Sequence, residues 1–411
     1  MSKPLSATWR DPVLCFLLVA GSLTVMAGAV MAPILPELIA HLHLSRGWAG
    51  SLVSVHYLTL AIFSPILGVI ADRHGQMRVL IPCLLGYAVV GASGAFLPDY
   101  FTLLVARGLL GVASGGIAAS SLGLLSRRYE GEARHQAIAY AATAITLANI
   151  VYPLLAVGLG YFNWRLAFGL YGVSAAMAAI APLLFRAGAR SRAPRPKNAA
   201  TDGIQIGPLL SSPASLRIFI SLMMVSAIVY GTIVYLPIYL KTVLGSGLIW
   251  NGFILAIQAV GAAFSSGLLL RAFTRRVGSL GVVGLSLGTM ALFLTLFPHL
   301  TDLSALMLVS GLFGVSFGLV TPSLYNLLAN LAPDRLQSSI LATGIGAGFL
   351  GQFVSPLILG GILSATGIPS VFYSCAAAAI ALGLSLLIPL RPQPAPATEN
   401  VTPVENVTHV R

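Results

Sequence analysis

The sequence predicts an all-α polytopic membrane protein with twelve transmembrane helices in two pseudo-symmetric six-helix bundles. Three observations carry that prediction. The first is composition: of 411 residues, 57% are hydrophobic and 8% are charged, with a mean hydropathy of +0.91. A soluble domain carries roughly 25% charged residues, so this much apolar surface needs lipid as its solvent. The second is a series of apolar runs, each close to the roughly 20 residues that cross a hydrocarbon core. The third is an internal repeat. Gly108-Leu-Leu-Gly111-Val-Ala-Ser-Gly115 returns 203 positions later as Gly311-Leu-Phe-Gly314-Val-Ser-Phe-Gly318, with Pro153 returning as Pro356 and Gly158 as Gly361.

Twelve spans are predicted in order, near 12–38, 49–70, 79–97, 101–125, 137–160, 166–184, 218–240, 252–272, 279–299, 305–331, 340–364 and 371–390. The first follows Met1–Asp11, is long enough to cross, and has no clear small-residue cleavage site. It therefore reads as a span rather than a removable leader. Backbone groups in lipid must bond internally, so the runs are helices; the short alternating strands of a membrane barrel are absent. Cys15, Cys83 and Cys375 all lie inside apolar runs, and three is an odd number. No disulfide framework or zinc spacing is expected.

Orientation follows from the basic residues. With the N-terminus cytoplasmic, Arg46, Arg165 and Lys241 fall in outer loops and Arg107 inside a span. All the rest of the 23 lysines and arginines fall on the inner side. Both termini are then inside. The net charge of +12 expresses this bias, and no nucleic-acid partner is expected. Trp9, Trp48, Trp164 and Trp250 sit at span ends, as an interfacial belt requires.

The longest interruption divides the chain into a bundle at 1–185, a basic linker at 186–217, a second bundle at 218–390 and a tail at 391–411. The linker holds Arg186, Arg190, Arg192, Arg195 and Lys197 and suits an anionic leaflet. The tail is Pro-rich and reads as disordered. Its Asn400-Val-Thr402 and Asn406-Val-Thr408 match a glycosylation pattern that a cytoplasmic tail never presents to that machinery. Small residues at one-turn spacing let helix backbones approach closely, which gives the repeated glycines a packing role. Pro33, Pro36, Pro153 and Pro356 lie within spans, the last two mid-helix, where a proline removes a backbone bond and bends a helix.

The most informative stretch is Gly68-Val-Ile-Ala-Asp72-Arg73-His-Gly75-Gln-Met-Arg78, a charged loop between two apolar runs. It resembles the signature loop between helices two and three of the major facilitator superfamily. That resemblance implies the family's fold and a role for Gly68, Asp72, Arg73, Gly75 and Arg78 in holding the halves together and gating alternating access. Anchoring by the arginines alone would leave Asp72 and the glycines unexplained. The counterpart in the second half, Gly267 to Gly278, has Arg271, Arg275 and Arg276 but no acid.

Leu104-Val-Ala-Arg107-Gly-Leu-Leu-Gly111 resembles the family's fourth-helix motif, whose arginine is associated with proton coupling. A charge about two turns into a span is costly and faces a cavity, or else snorkels to the headgroups. Its repeat partner is Ser310. Of the eleven acids, Glu37 alone is placed to enter the membrane. It follows Pro33-Ile-Leu-Pro36, which resembles the first-helix motif of twelve-helix drug:proton antiporters. Glu37 is then either a proton carrier or a wet interfacial acid. His56, two turns into span two, is either a titrating group or a structural one. His41 and His43 belong to the outer loop.

The other polar residues within spans are Asn149, Tyr152, Tyr230, Tyr235, Tyr239, Gln258, Tyr325, Asn326 and Gln352. Singly each is helix–helix glue worth about 0.6 kcal/mol; together they form a lining suited to an amphiphilic substrate. The export branch carries a Gly-rich Gly-Pro segment on the fifth helix. Here Ala148-Asn-Ile-Val-Tyr152-Pro153 keeps the proline and loses the glycines.

No Gly-Lys-Ser/Thr phosphate loop is present, and no cofactor or metal is expected. The resemblance implies a proton-coupled secondary transporter, monomeric by family default, that exports a drug or metabolite across a bacterial inner membrane. An importer or facilitator of a sugar, organic acid or lipid is the alternative. A membrane sensor or intramembrane enzyme is a remote third.

Overall fold

The computed structural model describes residues 11–42, 44–129, 131–186, 209–332 and 336–387. Most of the basic linker and the whole tail lie outside these ranges. Every described element is helical. The first half comprises α1 (Pro12–His41), α2 (Arg46–His74), α3 (Gln76–Ser93), α4 (Tyr100–Arg128), α5 (Gly131–Phe162) and α6. Helix α6 begins as a 3-10 segment, Trp164–Gly172, and continues as Val173–Arg186. The second half begins with α7 (Pro213–Thr242). Leu248–Phe264 then passes through a π-helical turn, Ser265–Leu269, into Leu270–Leu296. Gly278, at φ 73, breaks that path. We label 248–277 as α8 and 279–296 as α9. Next come α10 (Leu303–Asn330), α11 (Gln337–Thr366) and α12 (Ile368–Leu387).

Eleven stretches are long and apolar enough to cross a membrane, and one of them, Leu248–His299, has 52 residues. That is more than twice the roughly 20 needed for one crossing, so it supplies two spans. The chain is a multi-pass membrane protein.

Several boundaries differ from the sequence prediction. Helix α3 occupies Gln76–Ser93 rather than 79–97. Arg46 opens α2 instead of sitting in the preceding loop. Helix α7 starts at Pro213, so Arg217, placed in the linker by hydropathy, is helical and donates to the Ser385 carbonyl on α12. At each of these N-terminal ends the helix begins before the apolar stretch, because backbone bonding continues where hydropathy falls; α3 also stops short of its predicted end, at Ser93.

The helix starts have local causes. Asp11 accepts from the Val13 amide at 3.0 Å, with Pro12 in the first turn. Asp99 accepts from Thr102 at 2.9 Å and Asp302 from Ala305 at 2.8 Å. These last two are N-caps, one repeat apart, and they explain two acids that carried no assignment. Gly75, at φ 104, turns the chain between α2 and α3, and Gly278 turns it at the matching point of the second half. A side chain would be strained at either position.

Within each half, close backbone contact sets the packing. Helix α2 lies against α4 and α8 against α10. A Cβ at Gly111 would strike the His56 carbonyl, and one at Gly314 would strike the Gln258 carbonyl. Likewise Gly115 meets Leu60 and Ser64, while Gly318 meets Ala262 and Ser265. The glycine pairs are 203 positions apart, but their partners His56 and Gln258 are 202 apart. A π-turn adds one residue to a helix. The turn at Ser265–Leu269 therefore restores the 203 offset by Gly278.

The halves meet through α2 against α11, α5 against α8 and α1 against α7. The contact is uneven along the helices. Residues 228–240 of α7 are buried, apart from a half-buried Ile233, and 49–57 of α2 are buried apart from a half-buried Val55. Between 61 and 74 of α2, only Ala71 is buried. The bundle is thus sealed at the Glu37 end and splayed at the Asp72 end.

Candidate functional site

The Asp72 loop sits at the splayed end. Asp72 Oδ1 accepts from Arg127 Nη2 at 2.9 Å and from Gln76 Nε2 at 2.9 Å. The ion pair is open to solvent, with the side chains 67% and 53% exposed. Arg127 ends α4, so Asp72 ties α2 to a neighbour of its own half in this conformation. Arg73 and Arg78 are exposed, and Gly68 packs only near Ala119 of α4. In the second half Arg275 occupies the Asp72 position and Arg276 the Arg73 position at the 203 offset. The backbone turn is kept and the charge is reversed.

Arg107 is 2% exposed. Its Nη1 donates to the Tyr171 hydroxyl at 2.8 Å and to the Ala27 carbonyl at 3.3 Å; Nη2 lies 3.2 Å from Met31 Sδ. The Tyr171 hydroxyl in turn donates to Ala27 at 3.2 Å. The guanidinium also lies 5.3 Å from the Phe168 ring centre and 5.4 Å from that of Tyr171. A carbonyl, a hydroxyl, a sulfur and two aromatic faces thus stabilise the cation. Among the described residues no carboxylate pairs with it. The side chain is directed into the bundle, which answers the snorkelling alternative.

His56 lies in the same region of the first half. It is fully buried, and neither ring nitrogen has a hydrogen bond of good geometry. Its ring centre is 3.8 Å from that of Tyr57. Tyr57 reaches across the seam, 5.2 Å from Tyr230 on α7 and 5.7 Å from Phe349 on α11. The Tyr230 hydroxyl donates to the Val53 carbonyl of α2 at 2.7 Å.

Glu37 joins the halves at the sealed end. Lys241 Nζ donates to its Oε1 at 2.6 Å, with the lysine and glutamate side chains 40% and 21% exposed. Nearby, Asn251 Nδ2 donates to the Pro33 carbonyl at 3.2 Å, and Gly50 packs on Pro356, Tyr235 and Val234. Glu37 bridges α1 and α7.

The predicted lining divides. Tyr230, Tyr235 and Tyr239 are buried at the sealed end; Tyr235 donates to Pro356 at 3.1 Å and Tyr239 to Leu300 at 3.2 Å. None of the three faces open space in this conformation. Tyr152 shares a hydrogen bond with Ser22 of α1 at 2.8 Å. Asn149 is exposed and donates to its own helix at Ile145. Asn326 is exposed and Tyr325 half-buried on the splayed side of α10. Gln258 Nε2 and Gln352 Oε1 are buried without partners. Pro33 and Pro36 in α1, Pro153 in α5 and Pro356 in α11 all lie inside continuous helices.

Sequence reading missed Tyr57, Phe168, Tyr171, Arg127 and Lys241 as partners. Each of these contacts joins residues dozens to hundreds of positions apart. An aromatic in an apolar run carries no sign of which cation it will meet.

A profile of the Major Facilitator Superfamily matches residues 17–356 and 267–410. The chain belongs to the major facilitator superfamily. It is 33% identical over 154 residues to the multidrug efflux pump LfrA of Mycolicibacterium smegmatis, covering 37% of this chain and 30% of that protein. It is 21% identical to the quinolone resistance protein NorA of Staphylococcus aureus, covering 81% of this chain and 85% of NorA. The crystal structure of a bacterial homologue of the human lysosomal transporter Spinster, inward-facing and unoccupied, aligns with TM-score 0.74. That alignment covers 94% of this chain and 95% of that one at 16% identity, and it speaks to the fold alone.

Proposed function

We propose that this transporter exports small amphiphilic molecules in exchange for protons by alternating access, with both termini and the Asp72 loop in the cytoplasm of a bacterial cell. The observation that carries the reading is the uneven seam. One end is closely packed and crossed by Glu37–Lys241, Asn251–Pro33 and Tyr230–Val53; the other is splayed. Such a shape is one of two states that a rocking pair of bundles visits. The basic residues put the splayed end inside, so substrate would enter from the cytoplasm or inner leaflet. The half-buried Tyr152, Tyr325 and Gln352 and the exposed Asn149 and Asn326, on α5, α10 and α11, suit a neutral or weakly charged amphiphile. The efflux relatives agree in direction.

In this scheme Asp72 and its neighbours hold the closed inner face in the opposite state, and Arg107 supports proton coupling. Pro33, Pro36, Pro153 and Pro356 give the rocking helices their bends. The test is efflux from a bacterial strain without its own drug pumps, loaded with a fluorescent quinolone. The expected result is low retention that rises when a protonophore collapses the gradient. Greater quinolone accumulation than in an empty-vector control would instead support import, the reading that the missing fifth-helix glycines favour.

A further inference from the structure

We infer that His56 is the group that carries the proton, and that its protonation acts on the seam between the halves. This rests on the proton-coupled reading above. The argument begins with what is available at membrane depth. Glu37 is held by Lys241 at the sealed end. Asp11, Asp99 and Asp302 are helix N-caps, and Asp72 is solvated. Among the described residues, no acid lies deeper than Glu37. Histidine is the side chain that ordinarily exchanges a proton between about pH 5 and pH 8. His41, His74 and His299 lie at helix ends. His56 is the described histidine buried within a span.

Its surroundings fit such a role better than a static one. A structural buried histidine normally has both nitrogens satisfied, because an unpaired buried polar group costs about 1–3 kcal/mol. Both His56 nitrogens lack such bonds. The groups facing the ring are few. Arg107 on α4 supplies the one nearby charge. The Tyr57 ring, on the same helix, lies tilted against it at 3.8 Å. Gly28 of α1 places no side chain against it. Tyr230 of α7 and Tyr171 of α6 complete the ionisable neighbours through their contacts with Tyr57 and Arg107. The Val53 carbonyl faces the imidazole and is already bonded to the Tyr230 hydroxyl at 2.7 Å.

The step is a simple one. A ring nitrogen takes a proton from water on one side, giving an imidazolium, and later returns it to water on the other. The imidazolium has two N–H donors and a like charge beside Arg107. It competes with Tyr230 for Val53, so protonation loosens a bond between α2 and α7. The second half supplies a contrast. Gln258, not its neighbour Ala259, is the structural counterpart of His56, since Gly314 meets the Gln258 carbonyl as Gly111 meets that of His56. Gln258 also has a buried, unpartnered nitrogen, but it cannot titrate. The two halves thus present the same polar position, and only the first can take up a proton.

The test uses the full chain. In nanodiscs with carbon-13-labelled histidine, the resonance absent from His56→Gln reports His56, with His56→Asn as a second variant. The His56 resonance should move as the bulk pH is changed; a resonance that stays fixed over the whole range in which the protein remains folded overturns the assignment. In proteoliposomes with a fluorescent quinolone, wild-type accumulation should collapse with nigericin. The variants should ignore nigericin yet still exchange quinolone for quinolone. Variants that remain nigericin-sensitive overturn the role of His56 alone. A wild type that ignores nigericin overturns the coupled reading beneath it.

Discussion

Lys241→Met should release the Glu37 end of the seam. The pair it removes is short, 2.6 Å, and half in water, with side chains 40% and 21% exposed. Exposed pairs are worth about 0–1 kcal/mol. Partial burial of Glu37 and a charge-assisted bond put this one near the upper end, about 1 kcal/mol. Because the bond exists only while that end is sealed, its loss shifts the conformational equilibrium by about fivefold toward opening there. The assay is labelling of Val234→Cys, a fully buried site against Gly50, with Cys15, Cys83 and Cys375 replaced by Ser. An impermeant maleimide applied from the Glu37 side reacts in proportion to the open fraction when opening is fast. Lys241→Met and Glu37→Gln should each raise the rate about fivefold, and the double variant no further. The charge swap Glu37→Lys with Lys241→Glu should restore the slow rate. An unchanged rate in both single variants would refute the latch.

Asp72→Asn should cost little stability, about 0–1 kcal/mol, because its partner Arg127 is exposed, while the proposed transport falls sharply; a thermal shift assay beside a transport assay separates the two. Gly111→Ala should destabilise the first half by about 1–3 kcal/mol, since the new methyl meets the His56 backbone; a melting temperature equal to wild type would contradict the packing. Asp11 gives a pH signature. Burial alone would raise its carboxyl, but hydrogen bonds from Tyr129 and Arg128 outweigh that and hold it below the usual carboxylate range. Its contribution is therefore present above about pH 4 and lost as pH falls through the lowered value. Asp11→Asn should melt earlier at neutral pH and match wild type in strong acid.

Hydropathy and the internal repeat were enough to read the twelve spans, because the lipid requirement leaves helices as the one economical solution for such runs. The loop glycines were legible for a similar reason: Gly75 and Gly278 occupy a backbone shape that few other residues adopt. Partnerships were not legible. Arg107 could be placed at depth, but Ala27, Met31, Phe168 and Tyr171 come from two other helices, and nothing along the chain links them. Glu37 gave no sign of its partner Lys241, 204 positions away. Tyr230 and Tyr235 looked like wall residues from their helix alone; their hydroxyls instead bond carbonyls in the sealed region. The His56–Gln258 correspondence was hidden by a single inserted residue, which moved the register at the π-turn and made Ala259 the formal match.

Helix α7 illustrates what the uneven seam does to a single element. Its stretch from 228 to 240 is walled in almost throughout, while 213 to 227 alternates between buried and open positions. Both stretches have the same backbone hydrogen bonds, yet deuterium from the solvent should enter them at very different speeds. One half of the rod behaves like the interior of a soluble protein and the other like the bank of a channel. A change of state that opens the Glu37 end should exchange those two behaviours along one unbroken helix, giving a labelling pattern that inverts about its middle.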